Sequence, residues 1–225
     1  MPRASVEDAR RLARLSNDCS FLLTHMIRQN TRPPRSDEAA KKILLSILGV
    51  SGGKPPVLKA GRVGWYSSVS AAVFDPEQDD FVPSGESRAV CFTESTLAGL
   101  QGHRDVFRVK YGLSFDRDWL FGRGANPCLN IRGEVLKATV ERRPHERYTR
   151  KVFNYIPPGL HPFINVINEA FDATHEREWR YPEDLMFKYG DIRFVFCPER
   201  EFHVLSKIQR AGKPTLFDLE WLDRV

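Results

Sequence analysis

The segment HEREWRY, residues 175 to 181, alternates glutamates and arginines around a tryptophan. In an extended strand successive side chains point to opposite faces, so Glu176, Glu178 and Arg180 share one face. Two carboxylates about 7 Å apart on one strand face repel each other unless one is protonated or a ligand's hydroxyl groups lie between them. This pattern is typical of a strand that binds a sugar and catalyses chemistry at its glycosidic bond. The alternative is an edge strand with solvated charges.

A second candidate site is the basic cluster ERRPHERYTRK, residues 141 to 151. Clustered cations with an aromatic side chain between them can bind phosphates and stack on a base. The alternative is a solvated helix face or loop. The residues predicted to contact nucleic acid are Arg142, Arg143, Arg147, Tyr148, Arg150 and Lys151.

Composition limits the class of protein. The chain has 225 residues, 41% of them hydrophobic, and a net charge of +5, which predicts one compact domain over residues 1–225. It contains no apolar run of the roughly 18 residues that a membrane span needs, and its first 16 residues are rich in charge. We therefore expect a soluble, cytoplasmic protein.

The cysteines argue against a metal site. The four cysteines are widely spaced, without a CxxC pair, and the six histidines form no HExxH motif. Three of the four stand beside apolar residues, as buried thiols do in a reducing compartment. We expect no structural metal.

The elements that must position these residues alternate irregularly, which predicts an α+β fold. Residues 1–19 form an N-terminal helical extension, residues 20–27 a strand, and residues 36–49 an amphipathic helix with a Ser N-cap. Residues 75–88 form a long loop that is a candidate lid. The remaining predictions are strands at RAVCFTE, DVFRVKYGLSF, NPCLNIRGEVL and IRFVFC, helices at STLAGLQGH, PEDLMFKYG and EREFHVLSKIQRAG, and a largely helical stretch over residues 133–172.

The order of several short motifs resembles that of a known family. The motifs are LTHMIR, AAKKILLSILGVSGG followed by LKAG, VCFTESTLAGLQGH, KYGLSFDRDWLF, NPCLNIR, EREWRY and VFCPERE, which together span about residues 20–210. This order is similar to that of AbiGi-type abortive phage-infection proteins and, more distantly, of DarT-like DNA ADP-ribosyltransferases. The resemblance implies an ADP-ribosyltransferase-like fold, with two small split β-sheets flanked by helices and an NAD cleft between them.

The resemblance also implies roles for individual residues. His25 in LTHMIR corresponds to the histidine that binds a ribose of NAD, and Thr24 supports the same pocket. Glu178 corresponds to the glutamate that binds the 2′-hydroxyl of the nicotinamide ribose, with Glu176 as its substitute or as a general base. For His25 the alternative is a core histidine that is bonded to a backbone carbonyl.

Other roles stay open between several residues. The pyrophosphate is expected to bind Arg28 or Arg180, because a guanidinium matches phosphate oxygens with two parallel hydrogen bonds. The nicotinamide is expected to stack on an aromatic ring. The candidates are Trp65, Tyr66 and Phe92 for that ring, and Arg28, Arg62 and Arg88 for the arginine that such enzymes place in the cleft.

The function that follows from the resemblance is an NAD-dependent ADP-ribosyltransferase that modifies nucleic acid and acts as a toxin-like effector in phage defence. The alternative is a non-catalytic antitoxin or nucleic-acid-binding module on a degenerate version of the same fold. A metal-independent nuclease is a third alternative, since paired glutamates and clustered arginines also serve phosphodiester cleavage.

Overall fold

The structure is a computed structural model. It describes residues 20–50, 53–63, 72–83, 85–140, 150–168 and 177–224. The predicted helical extension over residues 1–19 lies outside these ranges. The α-helices are α1 (Asp37–Ile47), α2 (Leu97–Phe107), α3 (Arg117–Phe121), α4 (Gly133–Lys137) and α5 (Ser206–Gly212).

Most of the strands are short. They are β1 (Leu22–Ile27), β2 (Val57–Leu58), β3 (Gly61–Arg62), β4 (Ala72–Asp75), β5 (Asp80–Pro83), β6 (Arg88–Glu94), β7 (Tyr111–Asp116), β8 (Asn126–Pro127), β9 (Leu129–Arg132), β10 (Thr139–Val140), β11 (Arg150–Lys151), β12 (Ile164–Ile167), β13 (Glu178–Tyr181), β14 (Leu185–Met186), β15 (Ile192–Phe196) and β16 (Thr215–Phe217). The 3₁₀ segments are Val152–Tyr155, Pro158–Phe163, Tyr189–Asp191, Glu199–Leu205 and Leu219–Arg224.

The main sheet is mixed and has eight strands. Its order is β16-β15-β7-β1-β6-β13-β8, with β3 added on β6. The β15–β16 pair is parallel, and the other pairs of this sheet are antiparallel. Helices and unequal strands therefore combine without a repeating βαβ unit, which confirms the predicted α+β class.

The sheet opens between β1 and β6. Within these two strands the pairing is limited to Leu23 with Glu94 and Thr24 with Thr93. Beyond Thr24, β1 continues to pair with β7 as far as Ile27, while β6 pairs with β13 on its other side. We call the opening between residues 25–28 and residues 91–93 the fork.

The main core lies on one face of the sheet. Leu23, Phe92, Leu113 and Phe115 from the strands pack there with residues of α1 such as Leu44. The helix is well specified locally: the side chain of Ser36 accepts a hydrogen bond from the N–H of Ala39, and two acids stand in its first turn. The strand prediction for residues 20–27 and the helix prediction for residues 36–49 are both confirmed.

Three element predictions are wrong. Residues 133–172 were expected to be largely helical, but their described part contains the short helix α4, the 3₁₀ segments around Pro158 and strands β10 to β12. PEDLMFKYG contains strand β14 and the start of a 3₁₀ turn instead of a helix. The proposed lid loop contains strand β5, which pairs with β4 in a hairpin. In the first two cases long-range pairing overrides local propensity, whereas the lid segment is ordered by a local hairpin.

No helix in the described part of the chain is long and apolar enough to cross a membrane.

Gly112 allows β7 to approach β1 beside the fork. A Cβ atom added at Gly112 would lie 2.7 Å from the carbonyl oxygen of His25. Gly112→Ala therefore separates the two strands, and we expect it to lower the free energy of unfolding by about 1–3 kcal/mol, as overpacking does. Chemical denaturation measures this change.

The matched control is Gly102→Ala in the exposed part of α2, where an added Cβ meets nothing within 4 Å. Its higher helix propensity should raise the free energy of unfolding by about 0.5–1 kcal/mol. Equal effects of the two substitutions would contradict this account of the β1–β7 contact.

Candidate functional site

A cavity of about 260 Å³ lies at the fork. Strands β1, β6 and β13 form one side, and α2 and β12 contribute the rest. The residues that line it are Thr24, His25, Met26, Arg28, Cys91, Phe92, Thr93, His103, Phe107, Asn165, Glu178 and Arg180. Six residues predicted from the sequence are therefore neighbours in space: Thr24, His25, Arg28, Phe92, Glu178 and Arg180.

Strand β13 has the alternation that its sequence predicts. Glu178 and Arg180 project into the cavity, whereas Trp179 and Tyr181 pack against the main core. The acid predicted to accompany them, Glu176, lies outside the described residues. Strand β13 is thus not an edge strand, because it pairs with β6 on one side and with β8 on the other.

Glu178 and Arg180 form a bidentate ion pair. Arg180 Nε donates to Glu178 Oε1 at 2.9 Å and Nη2 donates to Oε2 at 3.1 Å. Arg180 Nη1 also donates to the carbonyls of Pro162 and Ile164, both at 2.9 Å. These contacts use four of the five N–H groups of a guanidinium that is 5% exposed. Arg180 therefore fixes Glu178 against its neighbours.

His25 spans the fork. Its Nδ1 lies 2.9 Å from the carbonyl oxygen of Cys91. A carbonyl can only accept, so Nδ1 carries the proton and the neutral ring keeps Nε2 as an acceptor. Burial lowers the pKa of His25 below its usual value, and the charge of Arg28 lowers it further. His25 is bonded to a backbone carbonyl and also lies on the cavity wall. Its structural hydrogen bond therefore does not exclude a role in binding a ligand.

Arg28 and the aromatic rings occupy defined places. The guanidinium of Arg28 lies 4.0 Å from the centre of the Phe107 ring, a cation–π contact. Phe92 borders the cavity, but its ring is 2% exposed and packs edge-on against His25 and Phe115. A ring buried in this way has no open face for nicotinamide. The other two stacking candidates, Trp65 and Tyr66, lie outside the described residues.

The basic cluster is described only at its end. Arg142, Arg143, Arg147 and Tyr148 lie outside the described residues. Arg150 places its guanidinium 3.8 Å from the centre of the Phe81 ring, and Lys151 is exposed. The nucleic-acid role of this cluster stays a prediction.

Two cysteines lie beside Glu178 and Arg180. Burial raises the pKa of Cys128 to about 12. Burial and the negative charge of Glu178 raise the pKa of Cys91 well above its usual range. A thiol with a raised pKa is a poor nucleophile at neutral pH, which argues against Cys91, the cysteine on the cavity wall, as a nucleophile.

Polar residues that the sequence analysis did not select also line the cavity. Asn165 donates from Nδ2 to Asn130 Oδ1 at 2.9 Å, which leaves its own Oδ1 as an acceptor. His103 lies 3.0 Å from Thr93 Oγ1 through its Nε2. One pattern in the sequence pointed to His103: it is four residues before Phe107, so the two side chains share a face of α2. The first helical residue of α2 is Leu97, and its N-cap is Thr96, whose side chain accepts a hydrogen bond from the N–H of Gly99.

The described residues contain no group of three or more His, Cys, Asp or Glu side chains that could hold a metal ion.

The chain matches no protein-family model, and neither a curated protein nor a solved structure is significantly similar to it. The function is therefore inferred from the geometry of the cavity.

The ion pair generates a stability prediction. Arg180→Met leaves the carboxylate of Glu178, whose side chain is 14% exposed, without its counterion. Removing one partner of a buried pair costs about 3–5 kcal/mol of unfolding free energy. The matched control is Arg193→Met, which breaks the 3.6 Å pair with Asp116 that leaves Arg193 58% exposed. This exposed pair contributes about 0–1 kcal/mol. Equal denaturation midpoints for the two variants would contradict the assigned role of Arg180.

His25 generates a pH prediction. Its folded pKa lies below the usual 6.5, so at acidic pH the unfolded chain binds more protons than the folded protein. The free energy of unfolding should therefore fall as the pH drops below 6.5, and His25→Asn should remove part of that slope. Denaturant titrations between pH 7.5 and 5 measure it. Buried His161 has a lowered pKa for the same reason and is expected to contribute separately. Identical slopes for the wild type and His25→Asn would rule out the stated effect.

Proposed function

We propose that this protein is an NAD-consuming ADP-ribosyltransferase whose reaction takes place in the fork cavity. The observation that supports this most is the meeting of Glu178, His25 and Arg28 in one cavity, although they are distant in sequence. Their chemistry suits three parts of a dinucleotide: a carboxylate for a ribose hydroxyl, an imidazole for a second hydroxyl and a guanidinium for a phosphate. The split-sheet, ADP-ribosyltransferase-like architecture is part of the same proposal, and the divergence of β1 from β6 supports it.

Glu178 stabilises the transition state. Cleavage of the bond between nicotinamide and ribose builds positive, oxocarbenium-like charge on the sugar. A fixed carboxylate that is hydrogen-bonded to the ribose 2′-hydroxyl binds this charge more strongly in the transition state than in the ground state. Arg180 holds both carboxylate oxygens, and each keeps a further lone pair for the substrate. The carboxylate is thus oriented before the substrate arrives.

His25 and Arg28 bind the rest of the ligand. The neutral His25 ring offers Nε2 as an acceptor for a ribose hydroxyl, because its Nδ1–H donates to the carbonyl of Cys91. Arg28 supplies positive charge at the cavity wall for the pyrophosphate. Arg180 was the other pyrophosphate candidate, but its hydrogen bonds to Glu178, Pro162 and Ile164 favour a positioning role.

The size of the cavity limits what it holds. Typical small-molecule pockets occupy roughly 300–1,000 Å³. At about 260 Å³ the fork cavity suits one nucleoside-sized half of NAD. We assign the nicotinamide ribose to this half, since Glu178 is part of its wall.

The molecule that we propose as acceptor of the ADP-ribose group is a nucleic acid. Nucleic acid is favoured by the net charge of +5 and by the basic cluster of residues 141–151. Modification of nucleic acid by such an enzyme would account for a toxin-like role in phage defence. A non-catalytic binding module is the outcome if NAD is bound but never cleaved.

The test is nicotinamide release from NAD, with and without DNA or RNA, by the wild type and by Glu178→Gln. The amide keeps the shape of the carboxylate but loses its charge, so kcat should fall by about 10²–10³-fold, as for loss of one transition-state contact. The matched control is Glu183→Gln, which changes an exposed glutamate shortly after β13 in the chain. This variant should keep full activity. Equal nicotinamide release by the wild type and Glu178→Gln would overturn the proposal.

A further inference from the structure

Thr93 and His103 form a buried pair of polar side chains inside the cavity. Thr93 Oγ1 and His103 Nε2 are 3.0 Å apart, and the two residues are 9% and 8% exposed. A hydroxyl within hydrogen-bond reach of an imidazole is the geometry by which a base removes or relays a proton. The imidazole is also oriented, because it stacks on Phe107 with 5.3 Å between ring centres and 28° between planes.

The register of the sheet places this pair beside Glu178. Thr93 of β6 is directly opposite Glu178 of β13 and, on its other side, opposite Thr24 of β1. Side chains directly opposite in antiparallel strands share a face, with Cβ atoms about 4.5–5.5 Å apart. A ribose bound by Glu178 is therefore within reach of the Thr93 hydroxyl. His103 of α2 contacts that hydroxyl.

Thr24 adds to the polar character of the cavity. Its Oγ1 is buried, lines the cavity and has no hydrogen-bond partner within the ranges that the structure describes. A buried hydroxyl without a partner carries a desolvation cost that a bound ligand or an ordered water can offset. Within the described part of the chain, the Thr24 hydroxyl therefore has hydrogen-bonding capacity that a ligand in the cavity can use.

We propose that His103 is the general base of the reaction and that Thr93 relays the proton to it. This inference rests on the proposed function and assigns its second catalytic step. Glu178 is unsuited to that step because Arg180 holds it in place for the ribose 2′-hydroxyl that it binds. His103 therefore takes the role that the sequence analysis gave to Glu176.

The step is balanced without any further reactant. The bond between ribose C1′ and the nicotinamide nitrogen breaks, and its electron pair neutralises the positive pyridinium nitrogen, so nicotinamide leaves as a neutral molecule. The oxygen of an acceptor hydroxyl, water in the hydrolytic reaction, forms the new bond to C1′. The acceptor proton passes to Thr93 Oγ1 while the Thr93 proton passes to His103 Nε2. The imidazolium then loses this proton to solvent.

The experiment compares nicotinamide release from NAD in buffer by the wild type, His103→Asn, Thr93→Ser and Thr93→Val across pH 5–9. General-base removal costs about 10²–10⁴-fold in rate. We expect such a loss of kcat in His103→Asn with little change in KM for NAD, together with loss of the rise in rate with pH that titration of the base produces. Thr93→Ser keeps the hydroxyl and should retain activity, whereas Thr93→Val should lose it.

The outcomes separate this inference from the proposed function. An active wild type, a slow Glu178→Gln and a His103→Asn variant with wild-type kcat and pH profile would overturn the inference alone. A wild type that releases no nicotinamide in buffer or with added DNA or RNA would overturn both. If His103→Asn does not fold, the Thr93→Ser and Thr93→Val pair decides the question, because equal rates for serine and valine contradict a proton relay.

Discussion

The ion pair between Arg180 and Glu178 is the interaction on which the site depends. Moving two charges out of water is costly, and a pair of apolar residues at the same place on β13 would serve folding at least as well. The pair is nevertheless anchored to the surrounding chain, since Arg180 also donates to the carbonyls of Pro162 and Ile164. It thereby ties β13 to the segment that carries β12 and Asn165. A rigid, charged carboxylate in a cavity is a feature of catalysis more than of stability.

The fork is the second constraint. Where β1 leaves β6, backbone groups lose the partners that a continuous sheet would give them. His25 satisfies one of them, the carbonyl of Cys91, with its own Nδ1. The same contact fixes the tautomer of the ring, so one hydrogen bond supports both the opening of the sheet and the chemistry assigned to the imidazole. Gly112 contributes from the other side by letting β7 lie close to His25.

The sequence predicted the two faces of β13 better than it predicted the elements around that strand. Alternation in EWRY was enough to assign Glu178 to the cavity face and Trp179 to the core, because a strand has a strict period of two. The region after residue 133 was misread as helix, since its short strands are stabilised by distant partners such as the β9–β12 pair. His103 and Asn165 were not predicted for the same reason: they reach the cavity because α2 contacts β6 through Thr93 and β12 contacts β13 through Arg180, which no local pattern contains.

A crystal structure of the protein grown with a non-hydrolysable NAD analogue tests the central claim most directly. The account predicts that the nicotinamide ribose lies in the fork cavity, with its 2′-hydroxyl on the carboxylate of Glu178 and Arg28 close to the pyrophosphate. An analogue bound at another surface, or a fork cavity that holds only solvent at a saturating concentration of the analogue, would contradict it.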